Sequence, residues 1–302
     1  MAQAYPSKPI RMIVVFTPGT TTDILARLIA PKLTEAWGQQ VLVDNRPGAA
    51  GVVGATLAAK APADGYTLLV STSSAFAINP GLYQKLSYNA IEDFAPITNM
   101  VTTPQVLVVN PSFAAKTVKD LVAAAKSQPQ QLNYASIGIG STSHLTMEMF
   151  SSNSGIKLSH VSYKGSPAAH AEILGGQIPI MFDGEPAVLP HIKSGKLRGL
   201  GIASLVRSRF LPQLPTIAEQ GYPTFEAVGW SGLVAPAKTP PQVLDKLNAE
   251  VVRILKTPDV QERLTALAFT PVGNTREQYA AFIKAEIAKW SKVIKDAGVK
   301  PE

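Results

Sequence analysis

Two loops rich in hydroxyl groups contain the residue types that bind a small anion. Each loop follows a predicted strand and begins a predicted helix, where free backbone N–H groups and the positive end of the helix dipole favour negative charge. The candidate residues are Phe16, Thr17, Gly19, Thr20, Thr21, Thr22 and Asp23 in the first loop, and Ser136, Ile139, Gly140, Ser141 and Thr142 in the second. We therefore predict that both loops are suited to bind a small anion. Helix capping by Thr22 or Asp23 is the alternative, although it does not explain three consecutive threonines.

A serine and a histidine near the second loop also allow a different chemistry. Ser141 and His144 are close in sequence and Asp183 ends a later predicted strand, so a Ser/His hydrolase is a second hypothesis. Ser141 lacks the G-x-S-x-G context that exposes a hydrolase serine. We favour binding without catalysis, in which His144 secures the loop or contacts the ligand. Asp183 then either contributes to the site or caps the helix that begins near Pro186.

Further candidate side chains follow other predicted strands. Ser74 adds a hydroxyl group after the strand Tyr66–Val70, and the rings of Phe16 and Phe76 are suited to stacking on an aromatic ligand. The alternative for both rings is a place in the core. Arg46 could hold a carboxylate with its planar guanidinium group, and a solvated surface arginine explains this residue equally well.

Short β-rich segments alternate with helical patterns along the chain, which is typical of parallel sheets covered by helices. The predicted strands and apolar segments are Ile10–Phe16, Val41–Val43, Tyr66–Val70, Ile97–Val101, Val106–Val109, Leu132–Ser136, Val161–Tyr163, Ile180–Phe182, Leu200–Ala203 and Val228–Ala235. The predicted helices are Asp23–Ala36, Val52–Lys60, 143–152, 167–175, 186–195, Gln242–Leu255, Asp259–Leu267 and Arg276–Lys295. This alternation places both candidate loops at the carboxyl ends of strands, where open α/β sheets bind ligands.

The length of the chain favours two lobes, because 302 residues exceed a typical single core of roughly 100–200 residues. We predict an α/β fold shaped as a two-lobed clamp, in which each lobe is a mostly parallel sheet flanked by helices. Lobe one comprises residues 1–101 and 224–302, and lobe two comprises residues 102–223. The two crossing segments would act as a hinge.

The composition argues against several classes of function. No run of about 18 apolar residues occurs, so we expect no direct insertion into a membrane. The net charge of +7 is scattered along the chain, which favours a small anion over nucleic acid. The absence of cysteine excludes thiol catalysis and disulfides, and the four histidines lack the spacing of metal ligands. We expect neither a metal nor a cofactor, and we expect a monomer.

The N-terminal Ala2-Gln3-Ala4 resembles the end of a secretory signal whose basic and apolar regions are missing. We therefore expect an exported protein from which the leader has been removed. An arbitrary alanine-rich terminus is the alternative.

Several motifs together resemble the substrate-binding receptors of tripartite tricarboxylate transporters, often called Bug-type receptors. They occur in the family's order over nearly the whole chain. The motifs are Pro18-Gly19 followed by Thr22-Asp23-Ile24-Leu25-Ala26-Arg27, Val43-Asp44-Asn45-Arg46-Pro47-Gly48-Ala49, Ala63-Asp64-Gly65-Tyr66-Thr67-Leu68, Gly138-x-Gly140-Ser141-x-x-His144-Leu145, Tyr163-Lys164-Gly165 and Pro212-Gln213-Leu214-Pro215-Thr216. In this sequence Thr20 and Thr21 stand where the family usually has small residues.

The resemblance implies a periplasmic solute-binding protein with the two-lobed fold of periplasmic binding proteins and with integral-membrane partner subunits. It implies that the loops Phe16–Asp23 and Ser136–Thr142 bind the carboxylates of the ligand, and Lys164 joins the candidate residues through its motif. We expect capture of a dicarboxylate by lobe closure, with one carboxylate bound by each loop. Tricarboxylates, aliphatic dicarboxylates and aromatic dicarboxylates all fit. Phe16, Phe76 and the threonine-rich loop favour an aromatic acid such as terephthalate.

Overall fold

Residues 5–301 are described by a computed structural model, and the chain divides into two units. The first unit comprises residues up to Thr102 and Trp230–Ser291, and the second comprises Thr103–Gly229 and the residues from Lys292 onward. The strands are β1 (Ile10–Val14), β2 (Val41–Asn45), β3 (Thr67–Thr72), β4 (Phe94–Val109), β5 (Asn133–Ser136), β6 (Ser159–Ser162), β7 (Ile180–Gly184), β8 (Arg198–Ile202), β9 (Val228–Pro236) and β10 (Thr270–Pro271). The predicted Ala2-Gln3-Ala4 signal remnant lies outside the described residues.

Helices follow most of the strands, as expected for an α/β fold. They are α1 (Thr21–Trp37), α2 (Val52–Ala59), α3 (Asn79–Leu82), α4 (Val118–Ser127), α5 (Thr142–Ser154), α6 (Ser166–Leu174), α7 (Glu185–Lys193), α8 (Pro241–Leu255), α9 (Pro258–Ala266) and α10 (Arg276–Ala297). A short π-helix, Ser74–Ile78, precedes α3. The predicted α/β class is therefore confirmed.

The sheet of the first unit has a parallel part and an antiparallel part. β1 lies between β2 and β3 and is parallel to both, whereas β9 is antiparallel to β3. β9 also lies beside β4, and β10 pairs with β4 in antiparallel fashion. Because β1, β2 and β3 are parallel, the loops that follow them meet at one edge of this sheet.

The core of the first unit forms where α1 covers the sheet. Alternate residues of β1, including Met12 and Val14, point to one face and join a buried cluster with residues of α1. Leu25, Ile29 and Leu33 follow one another at intervals of four, so they line one face of the helix and all are fully buried. This packing fixes the start of α1 beside the carboxyl end of β1.

The sheet of the second unit is built around the second half of β4. β7 and β8 both pair with β4 in antiparallel fashion, and β5 is parallel to β6 and β7. Val106 and Val108 on one face of β4 pack with Met181, Ile173 and Val188 in the core of this unit. The loops that follow β5, β6 and β7 therefore lie at one edge of the sheet.

The observed boundaries differ from the sequence prediction in places that have a physical explanation. The two apolar segments around residues 97–109 form one continuous strand, β4, which runs from the first unit into the second. The sequence prediction omitted α4, although Thr117 and Asp120 form a capping box at its start. Residues 224–229 group with the second unit because Ala227 donates to Ala203 O and accepts from Gln105 N. Residues from Lys292 onward also group with the second unit.

Neither a membrane-spanning helix nor a metal-binding cluster occurs among the described residues. No helix between residues 5 and 301 is both long enough and apolar enough to span a membrane. In the same part of the chain, no group of three or more His, Asp or Glu side chains is arranged to hold a metal ion.

Candidate ligand-binding site

A buried carboxylate organises the first candidate loop. Asp23 is only 2% exposed, and its Oδ2 accepts a hydrogen bond from Gly19 N at 2.9 Å. Arg27 Nε donates to both carboxylate oxygens at 3.0 Å, and Asn45 Nδ2 donates to Oδ1 at 3.0 Å. Asn45 Nδ2 also donates to Phe16 O at 3.0 Å. The Asp23 side chain therefore closes the loop on itself and ties it to the end of β2.

The hydrogen bonds of Asp23 decide its charge. Burial alone would raise the pKa of this carboxyl group, but the hydrogen bonds from Arg27, Gly19 and Asn45 outweigh burial and lower it. Asp23 is thus ionised and fully engaged within the loop. Its contacts give it a positioning role, whereas a direct contact with an anionic ligand would bring two like charges together.

The threonines of this loop differ in what their hydroxyl groups contact. Thr20 Oγ1 donates to Thr17 O at 2.8 Å and lies 3.3 Å from Thr22 Oγ1. Thr20 is the N-cap residue of α1, yet its side chain does not cap the helix. Thr17 and Thr21 are exposed, whereas Thr22 is buried. The first-turn N–H groups of α1 are therefore open to an acceptor other than the cap side chain.

The two phenylalanines of the candidate set have different environments. Phe76 is fully buried, and its ring centroid lies 4.8 Å from that of Phe94 and 6.2 Å from that of Tyr88. These contacts favour a core position for Phe76 over stacking on an aromatic ligand. Phe16 is half-buried at the start of the loop. Ser74, also half-buried, lies at the same sheet edge with its Oγ 3.0 Å from Thr72 Oγ1.

The second candidate loop is closed by the serine that begins α5. Ser141 Oγ donates to Gly138 O at 2.6 Å and accepts from His144 N at 3.2 Å, so it is a true N-cap. Gly138 and Gly140 have φ angles of +140° and +71°, which other residues rarely adopt. Ile139 between them is 38% exposed. The loop therefore takes a tight conformation that carries Ile139 outward and directs the start of α5.

Two histidines lie beneath this loop and are each hydrogen-bonded to it. His144 Nδ1 accepts from Gly140 N at 3.0 Å, and His160 Nε2 lies 2.7 Å from Ser136 Oγ. The two imidazole rings stack with centroids 3.9 Å apart and planes 8° apart. The ring centroid of Tyr134 lies 4.9 Å from that of His160 and 6.3 Å from that of His144, and its hydroxyl group donates to Glu148.

The environment keeps His144 neutral. Burial is the main reason that its pKa falls to about 3, and the neighbouring His160 lowers it further. Burial also lowers the pKa of His160. A neutral ring is consistent with Nδ1 accepting the Gly140 hydrogen bond, because only an unprotonated ring nitrogen accepts.

The same geometry argues against the hydrolase hypothesis. A nucleophilic serine needs a hydrogen bond to the ring nitrogen of its base. Ser141 Oγ instead donates to Gly138 O, and His144 Nδ1 is engaged by Gly140 N. His144 Nε2 lies 3.9 Å from Glu148 Oε1 and faces away from the serine contact. The Asp183 carboxylate is paired with a different histidine.

The two remaining candidates are Lys164, which follows β6, and Asp183, which lies near the end of β7. Asp183 is buried; its Oδ2 lies 2.9 Å from His170 Nε2 and its Oδ1 accepts from Gly184 N at 2.8 Å. Lys164 is exposed just after β6. Lys164 is therefore available to an anion, whereas Asp183 is engaged within its own unit and does not cap α7, whose N-cap is Gly184.

Sequence reasoning missed the residues that support the two loops. Asn45 and Arg27 hold Asp23, and His160 holds Ser136. A signal for Asn45 was present, because it ends β2 at the edge where the first loop begins. His160 shows its partner only once β5 and β6 are paired, which places it beside Tyr134.

The chain has two α/β units, and in each unit a helix begins at the carboxyl edge of the sheet, where its N–H groups favour an anion. This arrangement defines the class of solute-binding proteins. The family model described as "Tripartite tricarboxylate transporter family receptor" matches residues 25–299. The chain therefore belongs to this family of receptors. Its members bind solutes and do not transform them, so the protein is a binding protein and not an enzyme.

Relatives and solved structures agree with this assignment. The chain is 41% identical over 300 residues to BugT of Bordetella pertussis, covering 99% of this chain and 92% of BugT. Rpa4515 of R. palustris, solved with adipate, is 36% identical with a TM-score of 0.85 over 99% of this chain and 100% of that one. MatC of Rhodopseudomonas palustris, solved with malate, is 31% identical with a TM-score of 0.81 over 96% and 100%.

Proposed function

We propose that the protein is a periplasmic receptor that captures a small dicarboxylate and delivers it to the integral-membrane subunits of a tripartite transporter. One observation carries the proposal. Each unit has a loop that is closed by its own hydrogen bonds, next to a helix start whose N–H groups and hydroxyls are suited to a carboxylate. In the proposed mechanism each loop binds one carboxylate of the ligand.

The first loop supports this proposal through its electrostatics. Asp23 is the acidic residue in the first turn of α1, and an unpaired carboxylate there would repel an anion. Arg27 and Asn45 compensate this charge by direct hydrogen bonds. The exposed hydroxyl groups of Thr17 and Thr21 add donors on the outer side of the loop.

The second loop supports the proposal through the helix start that follows it. Gly138 N donates to Ser136 Oγ, and Gly140 N donates to His144 Nδ1, so neither group is available to a ligand. Ser141 Oγ caps His144 N in the first turn of α5, and the positive end of the helix dipole lies at this helix start. We propose that a ligand carboxylate binds at this helix start, with Lys164 adding positive charge at the same sheet edge.

The choice between aliphatic and aromatic ligands now favours aliphatic ones. Burial of Phe76 against Phe94 removes one of the two rings that supported an aromatic acid, which leaves Phe16 and the threonine-rich loop. The two similar proteins described above were solved with adipate and with malate, which are aliphatic dicarboxylates. We propose an aliphatic dicarboxylate as the ligand, with terephthalate as the aromatic compound to be tested beside it.

Thermal unfolding against a panel of carboxylates tests the proposed function. A ligand that binds only the folded protein raises the midpoint of unfolding in a saturable manner. The panel comprises citrate, succinate, malate, adipate, glutamate, benzoate, phthalate and terephthalate. A saturable rise with one group of dicarboxylates supports the receptor function and identifies its ligand class. Unchanged midpoints with the whole panel would contradict the carboxylate assignment.

A further inference from the structure

The stacked pair His144 and His160 holds the second loop at two points. His144 accepts from Gly140 N near the end of the loop, and His160 bonds to Ser136 Oγ at its beginning. Ser136 Oγ also exchanges hydrogen bonds with the backbone of Gly138, at 3.2 Å to both N and O. The two parallel imidazole rings therefore hydrogen-bond to both ends of the loop from residue 136 to residue 140.

The proton positions on this pair follow from its contacts. Because Gly140 N–H donates to Nδ1, the remaining proton of His144 must lie on Nε2. The groups that face the two rings are Tyr134 from β5 and Glu148 from α5. Oε1 of Glu148 lies 3.9 Å from His144 Nε2. Tyr134 donates to Glu148 and so satisfies part of that carboxylate. Two rings 3.9 Å apart also disfavour simultaneous protonation, because the two positive charges would repel.

We propose that His144 is a positioning residue for the ligand loop, acting as a neutral ring with its proton on Nε2. It withholds Gly140 N–H from the ligand and, together with His160, fixes the direction in which the start of α5 presents its donors. This inference rests on the proposed function. If His144 stays neutral, acidification does not create a histidine cation that strengthens binding of the anion.

The sign of the pH effect distinguishes this role from direct ligation. A histidine whose pKa is lowered in the folded state contributes stability that is fully present above its ordinary value of about 6.5. That contribution is lost as the pH falls through the folded value, which is about 3 for His144. Because His144 stays neutral in the folded protein over the range in which a dicarboxylate is fully ionised, affinity should stay level from pH 8 to about pH 6. A histidine cation that contacted the carboxylate would instead make binding tighter as the pH falls.

Nitrogen-15 NMR of the full protein tests the proton assignment without any ligand. We expect the His144 ring to show a protonated Nε2 and an unprotonated Nδ1 from pH 8 to pH 5. We expect the Gly140 amide to exchange slowly. In His144→Phe, which keeps the stacked ring and removes the acceptor, Gly140 should exchange at least about tenfold faster. In His144→Asn, whose Oδ1 replaces Nδ1, protection should return.

Calorimetric titration with adipate and with malate tests the effect on binding. We expect His144→Phe to weaken binding about tenfold, which corresponds to one backbone donor left unpaired, and His144→Asn to recover most of the loss. The control is His191→Phe, which removes an imidazole of α7 that contacts His170 and not the loop. This variant should bind like the wild type.

The two ideas fail in different ways. A His144 ring that titrates near pH 6.5, or a His144→Phe variant with unchanged Gly140 exchange, would overturn the positioning role even if the wild type binds dicarboxylates. Absence of binding to every carboxylate of the panel would overturn the proposed function, while the NMR result would still decide how the loop is held.

Discussion

At the scale of single residues, the site depends on groups that support the loops without facing a ligand. Asp23 accepts four hydrogen bonds from three residues, of which Gly19 belongs to the loop itself. Replacing Asp23 by Ala removes the buried acceptor that these donors share. We expect the free energy of unfolding to fall by about 1–3 kcal/mol, measured by urea denaturation. Asp245→Ala is the control, because its carboxylate is exposed and pairs with Arg276.

The pH dependence of unfolding gives a second test of Asp23. Its folded pKa is lowered, so its contribution to stability is fully present above the unfolded value of about 3.9 and is lost as the pH falls through the folded value. The wild type should therefore lose stability below about pH 4 more steeply than Asp23→Asn, which has no proton to take up. Parallel curves for the two proteins would show that this carboxyl group is not perturbed by its partners.

Ser141 allows a separation between folding and binding. Its hydroxyl group caps α5, so Ser141→Ala should reduce stability by about 1 kcal/mol. It should also weaken dicarboxylate binding, because the loop that presents the donors loosens. Thr117→Ala is a matched control: it removes the N-cap of α4 in the same unit, away from both candidate loops. Equal loss of affinity in the two variants, measured by calorimetry, would show that the effect is only global.

At the scale of elements, the sequence predicted the strand and helix alternation because its two periodicities are local. Leu25, Ile29 and Leu33 mark one face of α1, and Val106 and Val108 mark one face of β4. Local patterns do not show that β4 continues between its two apolar segments, since Thr102 to Gln105 are kept in the strand by pairing. The same limit explains Phe76, whose burial depends on Phe94 in a different strand.

The C-terminal helix α10 is tied to β9 by one buried carboxylate. Glu286 Oε2 accepts from Trp230 Nε1 at 3.2 Å and from Trp290 Nε1 at 3.0 Å, and Lys289 pairs with Oε1. Replacing Glu286 by Ala leaves two buried indole N–H groups unpaired. We expect a loss of at least about 2 kcal/mol in unfolding free energy and a shift of tryptophan emission.

A conservative variant shows whether this tie is a matter of hydrogen bonding. Glu286→Gln keeps an oxygen acceptor for the two tryptophans and should retain much of the stability. Similar losses in Glu286→Gln and Glu286→Ala would indicate that the charge, through Lys289, matters more than the acceptor.

At the scale of the whole molecule, the sequence was sufficient for the class of protein and the family, because several motifs lie in order along the chain. It located both loops, since each is a local strand-to-helix junction. It did not identify Asn45 and His160 as their supports, because those contacts join residues that are distant in sequence. The contact of Arg27 with Asp23 spans only four residues on α1, so helical spacing could have indicated it. A strand-to-helix loop can be recognised from the local sequence, whereas the distant residues that hold it in place are identified only from the fold.

The most direct measurement for the central claim is calorimetric titration of matched pairs of ligands, adipate with hexanoate and terephthalate with benzoate. Adipate and hexanoate share a six-carbon chain, terephthalate and benzoate share an aromatic ring, and the second ligand of each pair lacks one carboxylate. If each loop binds one carboxylate, at least one dicarboxylate should bind with a stoichiometry of one, and its monocarboxylate should bind at least about a hundredfold more weakly. Equal affinities within a pair, or no binding by either dicarboxylate, would contradict the account.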